Sequence, residues 1–164
     1  MKKAPPKPLT RMIARYIRNV TYCDIPQRIV DPLRQSISDG IGCGIKGSTT
    51  DFSRLVADYV NKWGSNGEAT IWGTGMKASA PFAAMVNCAS THAWDYDDAV
   101  FPGMCHSACV VVPTALAIAE RAKAPINGKA FVTAIAAGYE VSNLIGTALG
   151  SKAFASSGFY NSVP

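Results

Sequence analysis

The chain has 164 residues, of which 48% are apolar and 16% are charged, and its formal net charge is +5. This length suits one domain with a hydrophobic core and leaves little room for two. No apolar run approaches the roughly 20 residues that cross a bilayer, so we expect no membrane contact. The five cysteines form no CxxC pair and no cleavable apolar signal precedes them, which predicts free thiols in a reducing compartment such as the cytoplasm.

The positive charge is concentrated at the N-terminus, where every charged residue before Asp24 is basic. Such a segment can be a mitochondrial targeting peptide or a nucleic-acid arm. Apolar residues recur within it at helical spacing, however, so an ordinary amphipathic helix explains the arginines, and no nucleic-acid partner is expected. We predict a flexible, basic and proline-rich tail over residues 1–8 and a helical domain over residues 9–164.

The remaining pattern is a succession of helices separated by short breaks. Apolar periodicity and capping residues predict six helices, which begin near Thr10, after Pro26, at Asp51, near Ala80, near Ala108 and at Gly128. Glycines between residues 40 and 47 are expected to end the second helix, Gly64 the third, and the sixth should end near Leu149. Residues 70–72 look extended, but the flanking glycines favour a connector over a sheet. The predicted fold is an all-α helical bundle.

The fifth predicted helix is apolar on every side over residues 108–119. A helix of this kind is normally buried by its neighbours, so we expect it at the centre of the bundle. The proline within it, Pro113, should bend the helix or mark its first turn.

The most informative segment is His92-Ala-Trp-Asp-Tyr-Asp-Asp98, which His106-Ser107 follows. Between residues 78 and 119 its three carboxylates are the only charged side chains at neutral pH, and buried acids are costly unless they are paired or protonated. A carboxylate and a histidine that face each other can move a proton to or from a bound carbon acid. The segment therefore indicates a catalytic site.

A helical geometry would arrange these residues as follows. If the fourth helix continued through the segment, His92, Asp95 and Asp98 would share one face and Asp97 would point away. His106 would meet that face at the N-terminus of the fifth helix, which is a favourable seat for a substrate carboxylate.

Each candidate also has a structural explanation. Asp97 and Asp98 can cap or solvate a helix end, and His92 can be a hydrogen-bonded structural histidine. Cys105 and Cys109 flank a single imidazole, which is too few ligands for a structural zinc site. The paired aspartates could hold Mg²⁺, but no phosphate-binding partner accompanies them. We therefore expect no metal and no cofactor, and a metal-dependent enzyme is a remote third alternative.

Taken together, these segments resemble the MmgE/PrpD family. His92-Ala-Trp-Asp-Tyr-Asp-Asp98 is similar to its HALDFDD motif, and residues 105–120 are similar to the continuation HSA…VLPAALALAE. Four further segments match in order and spacing: Asp24-Ile-Pro26, Asp39-Gly-Ile-Gly-Cys43, Ser79–Asn87 and Ala137-Gly-Tyr-Glu140. Members include 2-methylcitrate dehydratases, cis-aconitate decarboxylases and related isomerases. The resemblance implies a helical domain, usually dimeric, that meets a smaller α+β lid domain and works on small polycarboxylates without a metal or redox cofactor.

The resemblance also implies roles for individual residues. Asp95 matches the motif acid, and His106 matches the active-site histidine of members that read LHSA, so these two are the predicted catalytic residues. In members that read HPS, an ungapped alignment puts Cys105 at the histidine position, but we favour His106. Ala99 stands where many members have threonine, and Tyr160 stands where the family's GWH or GFH has histidine. The predicted substrate-binding residues are Ser107, Ala99, Tyr160 and His92.

Family members run to several hundred residues, and their remaining basic active-site groups lie beyond Val163-Pro164. We therefore expect this chain to be the N-terminal part of the helical domain, as a fragment, a truncated product or one subunit of a split enzyme. A partial bundle would expose apolar surface, which predicts a homo-oligomer or a hetero-oligomer with a longer homologous subunit. The leading hypothesis is a lyase-type enzyme of small polycarboxylates. The alternative, which Ala99 and Tyr160 favour, is a non-catalytic homologue that acts as a partner or regulatory subunit.

Overall fold

The computed structural model describes residues 8–63, 67–101 and 103–157, with side chains described as far as residue 150. The predicted tail, except for Pro8, lies outside the described residues, and so do Gly64 and Tyr160. The helices are α1 (Leu9–Asn19), α2 (Gln27–Gly47), α3 (Asp51–Trp63), α4 (Ala80–His92), α5 (Ser107–Arg121) and α6 (Gly128–Ser157), with a 3₁₀ turn at Tyr22–Asp24. The predicted all-α fold is confirmed. Within the described ranges, none of the helices has the length and apolar character that a bilayer span requires.

The connector predicted over residues 70–72 is wrong at Thr70, which belongs to a small sheet, while Ile71 and Trp72 lie in the loop that follows the first strand. Strand β1 (Ala69–Thr70) pairs antiparallel with β2 (Lys77–Ala78), Ala69 lying opposite Ala78. The turn between them contains two glycines, Gly73 and Gly75, with φ of +73° and +72°. Glycine reaches this left-handed region at little steric cost, which allows the chain to reverse within a few residues.

Helix α2 continues through the glycines that were expected to end it, and its last residue is Gly47. Three of these glycines are buried at contacts with other elements. A Cβ atom at Gly47 would lie 1.8 Å from the carbonyl oxygen of Ser90 in α4, and one at Gly44 would lie 2.5 Å from the Trp72 ring. The buried glycines therefore act as small residues that let α2 approach α4 closely, which the sequence pattern alone did not show.

Helix α5 contacts α2, α4 and α6, as a central helix should. Its inner residues Ala108 and Val112 are fully buried with Leu33 of α2 and Ile135 of α6. The prediction of burial on every side is wrong for the described part of the chain, because Ile118 is 53% exposed. The outer side of α5 lines an open apolar groove with α6.

Helix α6 is continuous only as far as the predicted end. Its residue Gly150 has a φ of +72° and a ψ of 169°, which are not helical angles, so the regular first segment ends at Leu149.

Tyr16 of α1 donates a hydrogen bond to Glu140 of α6, and this bond, with partial burial, raises the pKa of Tyr16 to about 12.

Candidate active site

Helix α4 ends at His92, where the acidic segment begins. The next residues form a turn in which the Asp95 amide donates to the His92 carbonyl at 3.0 Å, and Asp95 has a φ of +53°. The left-handed region is sterically unfavourable for most residues but is tolerated by aspartate. The prediction that α4 continues and places His92, Asp95 and Asp98 on one face is therefore wrong.

The segment then folds back to α5 through a short loop. Val100 and Cys105 form an isolated antiparallel bridge, with backbone N···O distances of 2.8 and 3.3 Å. This bridge closes the loop and leaves His106 as the residue that precedes the first turn of α5. The fold thus brings two segments about ten residues apart into contact, and the acidic turn faces His106.

Asp97 lies between the two histidines of the chain. One of its carboxylate oxygens is 2.9 Å from Nδ1 of His92, and the other is 3.4 Å from Nδ1 of His106. The Asp97 side chain is 0% exposed, and the two imidazole rings meet edge to face with centroids 4.7 Å apart. The expectation that Asp97 points away into solvent is wrong, because the turn after α4 directs it inward.

Asp95 lies on the opposite side of the His106 ring. Its carboxylate oxygen is 3.7 Å from Nε2 of His106, and its side chain is 62% exposed while His106 itself is buried. The structure thus brings together the two predicted catalytic residues. The imidazole of His106 has a buried carboxylate at Nδ1 and a solvent-facing carboxylate at Nε2, an arrangement suited to proton transfer towards the open side.

Asp98 fixes the acidic segment to α5 and α6. Its carboxylate accepts hydrogen bonds from the backbone amide of Ala108 at 2.8 Å and from the Tyr139 hydroxyl at 2.7 Å. An acid at the first turn of a helix satisfies a free amide and interacts favourably with the helix dipole. We expected the free amides at the N-terminus of α5 to bind a substrate carboxylate. In the structure the Ala108 amide binds the Asp98 carboxylate instead.

The predicted substrate-binding residues differ in their placement. His92 is half-buried at the cluster, and Ala99 is exposed in the loop. Ser107 is fully buried, and its hydroxyl shares a 2.8 Å hydrogen bond with Ser142 of α6. Its side chain is thus directed towards α6, whereas the imidazole of its neighbour His106 contacts Asp95 and Asp97. Tyr160 lies outside the described residues.

The cysteine that competes with His106 in an ungapped alignment contacts backbone carbonyl groups. Cys105 is buried and its thiol lies 3.0 Å from the Gly103 carbonyl and 3.4 Å from the Ser142 carbonyl. Burial raises the pKa of the nearby Cys109 thiol, and its proximity to Asp97 raises it further. Both facts make a thiolate nucleophile at this site unfavourable, because the reactive form of cysteine is the anion.

Sequence reasoning did not assign a role to the α6 residues behind the cluster. Tyr139 bonds Asp98, and Asn143 donates to the Tyr139 carbonyl at 2.8 Å and to Ser107 at 3.4 Å. Burial, followed by the hydrogen bond to Asp98, raises the pKa of Tyr139. The segment Ala137-Gly-Tyr-Glu140, which matches the family, indicated that this part of α6 could be important. It did not show whether Tyr139 or Glu140 faces the site.

Replacing Tyr139 with phenylalanine is expected to lower the free energy of unfolding at neutral pH by about 1–2 kcal/mol, because Asp98 loses a charge-assisted hydrogen bond. The raised pKa of Tyr139 gives the sign of the pH effect. The contribution of Tyr139 to the free energy of unfolding is complete below the ordinary tyrosine pKa near ~10. It is lost as the pH rises towards the higher pKa that Tyr139 has in the folded state. When the pH is raised above about 10, the free energy of unfolding should therefore fall less in Tyr139→Phe than in the wild type.

Urea unfolding at neutral and alkaline pH measures this effect. The exposed residue Tyr59 provides a control, since Tyr59→Phe should change the neutral-pH stability by less than about 0.5 kcal/mol. If the free energy of unfolding falls equally in wild type and Tyr139→Phe between neutral and alkaline pH, the Tyr139–Asp98 bond contributes nothing to stability.

Comparison with known proteins identifies the family of the chain. Residues 11–163 match the model of the MmgE/PrpD N-terminal domain. Human cis-aconitate decarboxylase is 29% identical over 115 residues, which are 70% of this chain and 24% of that protein. The cis-aconitate decarboxylase of Aspergillus terreus is 29% identical over 145 residues, which are 86% of this chain and 29% of that protein. A cis-aconitate decarboxylase-like protein of Aspergillus oryzae is 25% identical over 158 residues, which are 93% of this chain and 33% of that protein.

The structure is a helical domain in which the acidic turn and His106 come together at the N-terminal end of α5. The chain belongs to the MmgE/PrpD family and corresponds to its N-terminal domain. It spans about a quarter to a third of the length of the curated relatives it matches.

Proposed function

We propose that this chain supplies the acid–base part of a lyase-type active site for small polycarboxylates, and that decarboxylation of a cis-aconitate-like substrate is its reaction. The observation that carries the proposal is the position of His106 between buried Asp97 and exposed Asp95. The names of these relatives, which are cis-aconitate decarboxylases or similar to one, support the choice of substrate class. Dehydration and isomerisation of related acids use the same proton-transfer groups.

The two nitrogens of His106 would have different tasks. Asp97 at Nδ1 holds the ring and stabilises its protonated form, as a buried acid does for a catalytic histidine. Nε2, on the side of Asp95, then exchanges a proton with the substrate. In decarboxylation the breaking C–C bond releases CO₂ and its electrons form a new double bond. The electrons of the old double bond take up the proton that His106 donates to carbon.

Such a reaction builds negative charge beside carboxylates and therefore needs cations. Between residues 78 and 119 the sequence has no lysine or arginine. Arg34 and Lys46 of α2 line an open groove with Tyr96 of the acidic segment, so they are candidates for one carboxylate. We propose that the other cations come from a longer homologous subunit or a second copy of this chain.

The test is turnover of cis-aconitate, measured as CO₂ release by this chain alone and with a longer homologous subunit. Asp97→Asn should reduce the rate by about 10²-fold or more, because the amide keeps the shape but cannot stabilise a protonated His106. Asp58→Asn changes an exposed acid of α3 and should leave the rate unchanged. Equal rates in both variants would refute the role of Asp97.

A second candidate is a non-catalytic homologue that stabilises or regulates a longer subunit. The exposed Ala99 favours it, since the family motif commonly has a threonine hydroxyl at this point of the loop. The same assay separates the two functions. If the longer subunit needs this chain for activity but tolerates Asp97→Asn in it, the chain is a partner and not a catalyst.

A further inference from the structure

The residues at the cluster include four groups that commonly bind metals. His92, Asp95, Asp97 and His106 each offer one ligand atom, and these atoms all lie within 4.8 Å of one another. We propose that this cluster binds a divalent transition-metal ion of the zinc class, and that the bound ion blocks the acid–base site. Binding is independent of the proposed function, whereas the inhibitory consequence depends on it.

The ligand atoms are close enough to gather around such an ion. Zinc bonds to nitrogen and oxygen are about 2.0–2.1 Å long, so neighbouring ligand atoms of a tetrahedral site are about 3.3 Å apart. The nitrogen–oxygen contacts of the cluster are 2.9, 3.4 and 3.7 Å long, but they use both nitrogens of His106 and both oxygens of Asp97, so one ion does not lie within all three. With one ligand atom from each residue the separations reach up to 4.8 Å, so side-chain movements of about an ångström would bring the four groups around one ion.

The chemistry of the donors selects the kind of ion. Imidazole nitrogens favour zinc, cobalt and their neighbours, while Ca²⁺ and Mg²⁺ prefer all-oxygen sites. Two carboxylates balance the charge of a divalent cation, and neutral imidazoles complete the ligand set. An ion can use only one nitrogen of His106, and the other still faces a carboxylate that orients the ring.

The cluster also has an entrance. Asp95 is 62% exposed, whereas Asp97 is 0% exposed, so the ligands run from the surface to the interior. An ion can thus be captured at Asp95 and held by the inner groups. In that position it occupies His106 and Asp95 together, which are the groups that would exchange a proton with the substrate.

Titration of the 164-residue chain with Co²⁺ tests the proposal without any assay of activity. We expect visible d–d absorption bands of a nitrogen- and oxygen-bound ion, their loss on addition of Zn²⁺ or EDTA, and no competition by Mg²⁺. Asp95→Asn and His92→Gln should each weaken Co²⁺ binding by roughly tenfold or more, and Asp58→Asn should not. Because Asp95 is exposed, its variant should keep the fold, which circular dichroism checks.

The outcomes distinguish the proposal from its alternatives. Absence of the visible bands, or equal affinity in wild type and Asp95→Asn, would overturn it. A sulfur-to-cobalt charge-transfer band would also overturn it, since the chain has five cysteines whose sulfur atoms could bind the ion instead. If the bands appear but the chain catalyses nothing with any partner, the metal site stands and only the proposed function fails.

Discussion

His106→Gln should reduce turnover of cis-aconitate by roughly 10²–10⁴-fold, which is the usual contribution of a general acid or base. Glutamine can place its amide beside a neighbouring carboxylate, but it cannot carry the transferred proton. His106 is buried and has an acid at each nitrogen, so the loss should affect the chemical step more than substrate binding. Steady-state kinetics of the complete active form would show a fall in kcat with a smaller change in KM.

Cys105→Ala provides the control for this result, since Cys105 occupies the histidine position in the competing alignment. Its thiol contacts carbonyl groups of Gly103 and Ser142, so we expect activity to be retained. Loss of activity in Cys105→Ala with a preserved fold, combined with an active His106→Gln, would mean that the other alignment is correct.

Gly47→Ala should lower the free energy of unfolding by about 3 kcal/mol or more. The added Cβ would lie 1.8 Å from the Ser90 carbonyl oxygen and 2.8 Å from its carbonyl carbon, and backbone atoms cannot move aside as a flexible side chain can. Helices α2 and α4 would have to separate. Ser90 lies two residues before His92, so the displacement should also reach the candidate site. Urea unfolding measures the stability change.

Gly42 provides a matched control in the same helix. A Cβ atom at Gly42 would have open space around it, since among the described residues no atom of another element lies within 4 Å of that position. Gly42→Ala should therefore raise the free energy of unfolding by about 0.5–1 kcal/mol, because alanine is the better helix former. A Gly47→Ala protein as stable as wild type would contradict the close contact between α2 and α4.

The helices were predictable from sequence because apolar periodicity and capping residues are local signals. The predicted starts at Asp51 and Gly128 coincide with the first residues of α3 and α6. The end of α2 was not predictable, since a glycine that ends a helix and one that packs against a neighbouring helix look alike in sequence. The sheet was missed for a related reason, because two strands of two residues carry no measurable alternation.

The candidate site was predictable in its residues but not in its geometry. Asp95 and His106 stood out because charged groups are rare in apolar sequence, and the structure brings them to 3.7 Å. The role of Asp97 depends on a turn that begins after His92, and a spacing of three residues fits a helix and a turn equally well. Tyr139, 41 residues from Asp98, belongs to the site only because α6 packs behind the loop.

The left-handed backbone of Asp95 affects how this position should be mutated. A φ of +53° is one that asparagine and glycine accept readily and alanine does not. An alanine scan would therefore report, at this position, the cost of a distorted loop added to the loss of the carboxylate. Asparagine keeps the shape of the side chain and removes its charge, so the difference between wild type and Asp95→Asn measures the charge, and the difference between wild type and Asp95→Gly measures the whole side chain.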